Sequence, residues 1–222
     1  MKLASSNSFS DRLVAKNWHI IYFIKQKVNR CSYYYFPWSF SCVLILFIYR
    51  TRQGTNMRFS IIIATIHRTE EILRLLKSIA DQQYNDLEIL IVDQNNDERL
   101  NPILSQYRSR FPLLHLRSPK GLSRARNEAL TFAQGEIICF PDDDCWYPPN
   151  LLVEVDRLMR KNTHIAGFTG RCTDEQGRLS AGGESKRPGL LNRHNFWRRG
   201  VSATMFLRAR PIYFCAQSRK GS

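Results

Sequence analysis

The chain is poorest in acid at its two ends. Residues 1–56 hold Asp11 alone against eight Lys/Arg, and 171–222 hold three acids against eleven. Residues 57–170 are nearly neutral, with 15 acids and 14 bases, so the formal net charge of +14 belongs to the ends. Binding to a phosphate backbone needs cations clustered on a folded surface. No nucleic-acid partner is therefore expected for the central part. The six cysteines (Cys31, Cys42, Cys139, Cys145, Cys172, Cys215) include no Cys-x-x-Cys pair, and no histidines are closely spaced, which excludes the usual zinc layouts. Cys139 lies inside an apolar run and is expected to pack as a small hydrophobe, a usage that fits a reducing compartment. Internal repeats and low-complexity tracts are also lacking.

Met1–Lys27 has no signal-peptide layout, because Arg12, Lys16, Lys25 and Lys27 interrupt its apolar stretches. A cytoplasmic location is expected. Tyr33–Tyr49 is uncharged, rich in aromatics and flanked by Arg30, Arg50 and Arg52. Its 17 residues stand at the lower limit for a membrane span. It reads as a membrane or interfacial anchor giving peripheral association, as an aromatic segment packed elsewhere, or as part of a stretch upstream of a true start at Met57.

What is present begins at Met57. Phe59–Ala64 is a dense β-branched run, the mark of a central parallel strand covered on both faces. Thr69 is positioned to cap a helix whose first turn holds Glu70 and Glu71 and whose stripe is Ile72, Leu75, Leu76 and Ile79. Leu87–Val92 reads as a second strand, so the unit is a right-handed βαβ. A helix over Pro102–Arg110 and a strand over Leu113–Leu116 follow. Ser123 is expected to cap a helix Arg124–Ala133, with Gly135 as its C-terminal stop. Glu136–Phe140 is a strand, and Pro148 and Pro149 suit the first positions of a helix to about Lys161. Ile165–Gly170 is another strand, and 173–192 reads as loop.

The strand Glu136–Phe140 ends on Pro141-Asp142-Asp143-Asp144-Cys145-Trp146. Open α/β sheets place ligands just past the carboxyl ends of their strands. Asp142 and Asp144 there form an Asp-x-Asp pair, the hard-oxygen grip that Mg²⁺ or Mn²⁺ favours when it also carries phosphate. The plain alternative is a solvated acidic cap for the following helix.

Taken together, Phe59–Arg68, Glu88–Asp97, Gly121-Leu-Ser-Arg-Ala-Arg-Asn127 and Gly135–Asp144 resemble family 2 glycosyltransferases, with four motifs in the family's order. The resemblance implies an α/β fold of the GT-A type, a Rossmann-like nucleotide-binding half with a mainly parallel sheet and then a more variable acceptor-binding half. It implies inverting transfer from a nucleotide-diphosphate sugar to an acceptor hydroxyl, assisted by Mg²⁺ or Mn²⁺, as in surface-polysaccharide or glycoconjugate synthesis. By the same resemblance Asp144 contacts the metal with Asp142 or Asp143 helping. Asp93 recognises the base or ribose of the donor, or else caps a turn. Gln94 stands where many members have a second acid. Thr65, Ile66 and Arg68 match the loop that cradles the nucleotide, with Ile66 replacing a tyrosine, and His67 reads as a loop polar group.

Lys120, Arg124, Arg126 and Asn127 lie at the mouth of a helix N-terminus suited to diphosphate. Helical spacing puts Arg124 and Asn127 on one face and Arg126 on another.

The expected organisation is an extension (1–56), a nucleotide-sugar half (57–170) and the start of an acceptor half (171–222). The family's Gly-Gly-Phe-Asp-Glu motif and its catalytic carboxylate do not follow Val201–Leu207, so no catalytic base is assigned; Asp174 and Glu184 are poor substitutes. That strand is then expected to form an exposed, unpaired edge. The competing reading is a truncated remnant that binds nucleotide or a partner without transfer. A sugar nucleotidyltransferase would want glycine in Ala64–Arg68, and none is there.

Overall fold

The computed structural model describes residues 22–25, 57–174, 176, 178–181, 189–191 and 202–209. Tyr33–Tyr49, Glu184 and residues 210–222 lie outside them. The strands are β1 (Tyr22–Lys25), β2 (Phe59–Thr65), β3 (Leu87–Asp93), β4 (Leu113–Arg117), β5 (Ile137–Cys139), β6 (Ile165–Thr169), β7 (Cys172–Thr173), β8 (Leu179–Ala181), β9 (Gly189–Leu191) and β10 (Met205–Arg208). The helices are α1 (Glu70–Ala80), α2 (Asn101–Tyr107), α3 (Leu122–Leu130) and α4 (Leu151–Lys161). Eight strands form one sheet in the order β4-β3-β2-β5-β10-β6-β1-β9, and β7 pairs with β8 in a separate hairpin.

The central strands β2 and β3 are buried along their whole length, and their alternation sorts side chains into two layers. Phe59, Ile61, Ile63, Leu87, Ile89 and Ile91 join the buried stripes of α1 and α4 on one face. Ile62, Ala64, Leu90 and Val92 meet Ala125, Ala129 and Leu130 of α3 on the other. An uninterrupted apolar strand is stable only with both faces covered, and here both are. β4, β3, β2 and β5 run parallel, so their carboxyl ends share one edge of the layer.

Val201–Leu207, expected as an open edge, is corrected. Met205–Arg208 lies inside the sheet, antiparallel to both β5 and β6, with Phe206 buried against Phe59 and Tyr147. Every backbone group of a buried strand needs a partner, and a strand fed between β5 and β6 finds them on both sides. Val201 lies outside the described residues. The loop expected over 173–192 is likewise corrected, since it contains β8 and β9. Asp174 closes the β7–β8 turn, accepting from the backbone N–H groups of Gln176 (3.0 Å) and Arg178 (2.8 Å).

Helix ends differ from expectation for local reasons. Gly121, not Ser123, stands at the N-cap of α3, with φ 144° that a side chain would resist. Thr69 occupies the N-cap of α1 without a side-chain capping bond. Pro148 and Pro149 precede α4, whose N-cap is Asn150 at φ 63°. Gly135 does not stop α3, which ends at Leu130. It lets the chain enter β5 against Ser60, whose backbone N a Cβ would approach to 2.5 Å.

Gly167 of β6 is tighter still: a Cβ there would lie 2.3 Å from the Phe206 carbonyl oxygen. Gly167→Ala is therefore expected to destabilise the fold by about 2–3 kcal/mol, as overpacking against backbone does. Urea unfolding checks this, with the midpoint lowered at unchanged slope.

Candidate functional site

Three strand ends and one helix start converge. β2 delivers Thr65 and the turn Ile66-His67-Arg68, β3 delivers Asp93 and Gln94, and β5 runs through Phe140 into the carboxylates. The start of α3 is tied to this edge because Gly121 N–H donates to Gln94 Oε1 (2.6 Å). Gln94 N–H in turn donates to the Thr65 carbonyl (3.0 Å), so the first two loops are stitched together.

The three aspartates are separated by the turn that carries them. Cys145 N–H donates to the Asp142 carbonyl (3.1 Å), closing a four-residue turn. Asp142 accepts from Arg126 Nη2 (2.6 Å), whose guanidinium is buried and also donates to the Phe140 carbonyl (3.2 Å). Asp143 and Asp144 share the Arg68 guanidinium, through Nε at 3.4 Å and Nη1 at 2.8 Å. Burial pushes the Asp143 carboxyl above its ordinary range, against the lowering effects of the Thr65 hydroxyl and the Arg68 charge. Thr65 Oγ1 is itself buried and meets no partner at full hydrogen-bond geometry, although it lies beside that carboxyl. Arg74 clamps the turn from α1, donating to the Asp144 carbonyl (3.1 Å) and lying 4.5 Å over the Trp146 ring.

These contacts sort the expected residues. Arg126, set apart from Arg124 and Asn127 by helical spacing, is the one that turns to the carboxylates. Arg124 and Lys120 are exposed, and Asn127 is half-buried. Ile66 is half-buried and His67 exposed; the His67 backbone is held at φ 61° by donating its N–H to Asn95 Oδ1 (2.6 Å).

Asp93 is fully buried and makes the turn cap. Its Oδ1 accepts from Asn95 N (2.9 Å) and Nδ2 (2.8 Å), and its Oδ2 lies 3.1 Å from both His115 Nε2 and Arg117 Nη1. Asn95, His115 and Arg117 were not anticipated. Only the register pairing Asp93 with Arg117 across β3 and β4 reveals the last of them.

The donor set suits a divalent cation. Ligand atoms of Asp142, Asp144 and Cys145 all lie within 4.8 Å of one another. Asp144 is half-exposed, so a ligand can approach from solvent. Cys139, by contrast, is buried in the core as expected, its thiol pushed up to about 12 by burial.

A mostly parallel sheet with nucleotide-type loops at the carboxyl ends and carboxylates after β5 defines a GT-A α/β protein. Residues 60–218 match the family described as Glycosyl transferase family 2, and the chain belongs to that family. It is thus a glycosyltransferase by ancestry.

Among similar proteins is the UDP-Glc:alpha-D-GlcNAc-diphosphoundecaprenol beta-1,3-glucosyltransferase WfgD of Escherichia coli. It is 30% identical over 105 residues, 46% of this chain and 42% of WfgD. The poly(ribitol-phosphate) beta-N-acetylglucosaminyltransferase TarS of Staphylococcus aureus is 33% identical over 94 residues, 40% of this chain and 16% of TarS. The crystal structure of TarS residues 1–349 superposes with a TM-score of 0.59 at 22% identity, covering 71% of this chain and 49% of that one. That likeness shows the fold. The chain spans less than half the length of these relatives. Among the described residues no helix is long and apolar enough to cross a membrane.

Proposed function

We propose that the chain binds a nucleotide-diphosphate sugar at the carboxyl edge of β2, β3 and β5 and transfers the sugar, with inversion, to an acceptor hydroxyl in polysaccharide or glycoconjugate synthesis. The observation that carries this reading is the convergence of the Thr65 loop, the Gln94–Gly121 tie and the Asp142–Asp144 turn on one edge, within a family 2 chain. Asp142 and Asp144 would hold Mg²⁺ or Mn²⁺, which when bound stabilises the charge gathering on a diphosphate leaving group.

The chain's own residues do the rest. Arg126 orients Asp142 from below, and Arg68 balances Asp143 and Asp144 until a ligand arrives. The N-terminal turn of α3 offers N–H groups and a favourable dipole to phosphate oxygens. Asp93 acts at one remove, by holding Arg117 and the Asn95 that fixes the His67 backbone. Within 1–56, Tyr22–Lys25 pairs with β6 and β9 in the main sheet, so the extension is not wholly separate; in this reading the rest of it offers peripheral membrane association, and 171–222 begins the acceptor side.

TarS residues 1–349 have been crystallised with UDP-GlcNAc and with UDP, and WfgD is named for UDP-Glc. A UDP-sugar is therefore the first donor to test. Calorimetric titration of the 222-residue chain with UDP-GlcNAc, UDP-Glc and GDP-mannose, with and without Mn²⁺, is expected to show Mn²⁺-dependent binding of the UDP sugars. A parallel transfer assay reads turnover. Absence of binding to every donor in the presence of Mn²⁺ would overturn the reading.

A further inference from the structure

We propose that Trp146 is a stacking platform for a pyranose ring at the rim of the site. The inference rests on the proposed function, which requires a sugar beyond the diphosphate, and goes further by assigning the surface that receives that sugar.

The order of the sheet sets the direction of the ligand. In that reading the loops after β3 and β2 form the nucleotide end, and the turn after β5 takes the diphosphate with its cation. A glycosyl group attached to the diphosphate then lies at or past the end of β5, away from β3. Trp146 leaves the sheet there, two residues after Asp144.

Local structure holds the indole out of the core. Tyr147 turns inward, buried against Phe206, and its N–H donates to Ser78 Oγ (2.9 Å). Gln82 Nε2 donates to the Pro148 carbonyl (2.8 Å), which fixes the next step of the chain. With its neighbours pinned inside, Trp146 is left outside and 36% exposed. The ring is nevertheless anchored. The Arg74 guanidinium of α1 lies 4.5 Å from its centroid and also donates to the Asp144 carbonyl (3.1 Å). One cation therefore joins the indole to the carboxylate turn.

A single exposed apolar side chain needs no explanation by itself. Leu114, Phe132 and Val153 are at least as exposed, yet they stand on none of the loops that form the site. Trp146 differs in its place and in its clamp. A pyranose presents a face of C–H groups with hydroxyls around its edge. An indole offers a flat, polarisable surface to that face and an N–H to a hydroxyl. Holding the ring in one orientation beforehand lowers the cost of ordering it on binding. The same chemistry serves the donor's own glycosyl group or the first sugar of an acceptor.

The test compares Trp146→Ala and Trp146→Phe with the wild type in the full chain. In a donor arm, calorimetry with Mn²⁺ gives the affinity for UDP-GlcNAc relative to UDP. In an acceptor arm, the chain saturated with UDP and Mn²⁺ is titrated with N,N′-diacetylchitobiose. Trp146→Ala is expected to lower the sugar-dependent value in one arm by about fivefold, the scale of an aromatic contact. Affinity for UDP itself is expected to hold. Trp146→Phe keeps a smaller aromatic face and should recover part of the loss. The donor arm is a ratio measured on one preparation, so any change in the folded fraction cancels from it.

A fall in the donor arm assigns the ring to the donor sugar, and a fall confined to the acceptor arm assigns it to the acceptor. Unchanged values in both arms would overturn the proposal, as would an equal loss of UDP and UDP-GlcNAc binding. Either result leaves the proposed function standing, because the wild type still binds UDP with Mn²⁺. Failure of the wild type to bind any donor removes both together.

Discussion

Asp144→Asn is expected to weaken Mn²⁺-dependent binding of a UDP sugar by on the order of 100-fold or more while leaving the fold intact. Losing a mere outer-shell partner commonly costs about 10–100-fold in metal affinity, and the amide removes a charged oxygen from the inner set. The fold is spared because Asp144 is half-exposed and its ion pair with Arg68 is a surface one, which contributes roughly 0–1 kcal/mol to stability. The main-chain clamp from Arg74 survives, since it uses the Asp144 carbonyl rather than the side chain. Titration with and without Mn²⁺, together with a urea unfolding curve, separates the two effects. Metal-dependent binding at wild-type strength in Asp144→Asn would remove this residue from the site. Loss of binding with a collapsed unfolding midpoint would instead mark it as structural.

Asp142→Asn differs in an instructive way. Asp142 accepts from Arg126, whose guanidinium is almost wholly buried. The arginine also donates to the Phe140 carbonyl, but its Nε has no partner at hydrogen-bond geometry. Weakening its anion leaves a buried cation less well compensated, so part of any loss there is a stability effect. Asp144 is therefore the cleaner probe of the cation, and Asp142 reports on the cation and the support beneath it together.

The strands that bear the site were legible for a simple reason. Ile61-Ile62-Ile63 and Ile89–Val92 are apolar at every position, and only a strand covered on both faces hides such a run. The carboxylates were legible because polar residues directly after such a strand sit at the ligand-binding edge. What escaped was set by contacts distant in sequence. β10 enters between β5 and β6 through pairing that no local pattern encodes, and its short apolar text reads equally well as an edge.

The start of α3 was misplaced because Ser123 looks like a cap, whereas the chain turns at Gly121, whose φ of 144° suits glycine. Arg126 was set apart from its neighbours by the right periodicity, but periodicity alone cannot say which face meets the site. Asp93 is the plainest case. Its place after β3 was readable, yet its partners come from Asn95 and from the far end of β4.

Those partners make Asp93→Ala the substitution with the largest expected effect on stability, about 3 kcal/mol. The carboxylate is fully buried and accepts two bonds from Asn95, while His115 and Arg117 lie at 3.1 Å. Removing it strands a buried amide and a mostly buried imidazole, and leaves Arg117 without its inner anion. Arg117 is about two-fifths exposed and also reaches Glu98 at 2.8 Å, so water and that second acid limit its share of the loss. The larger part then falls on Asn95, which also accepts from the His67 backbone and so sets the path of the β2 loop.

Two consequences follow from that sharing. Asp93→Ala should lower nucleotide binding as well as the unfolding midpoint, because the loop after Thr65 loses its anchor. Asp93→Asn should recover part of both, since an amide oxygen can still accept from Asn95 N–H while the charge is gone. Urea unfolding of both variants with nucleotide titration on each tests this. A shift within about 0.5 kcal/mol for Asp93→Ala, the range of an ordinary surface change, would show that Asn95 and Arg117 hold the loop without the acid. Full recovery of stability and binding in Asp93→Asn would show instead that the charge contributes nothing and that only the hydrogen bonds matter.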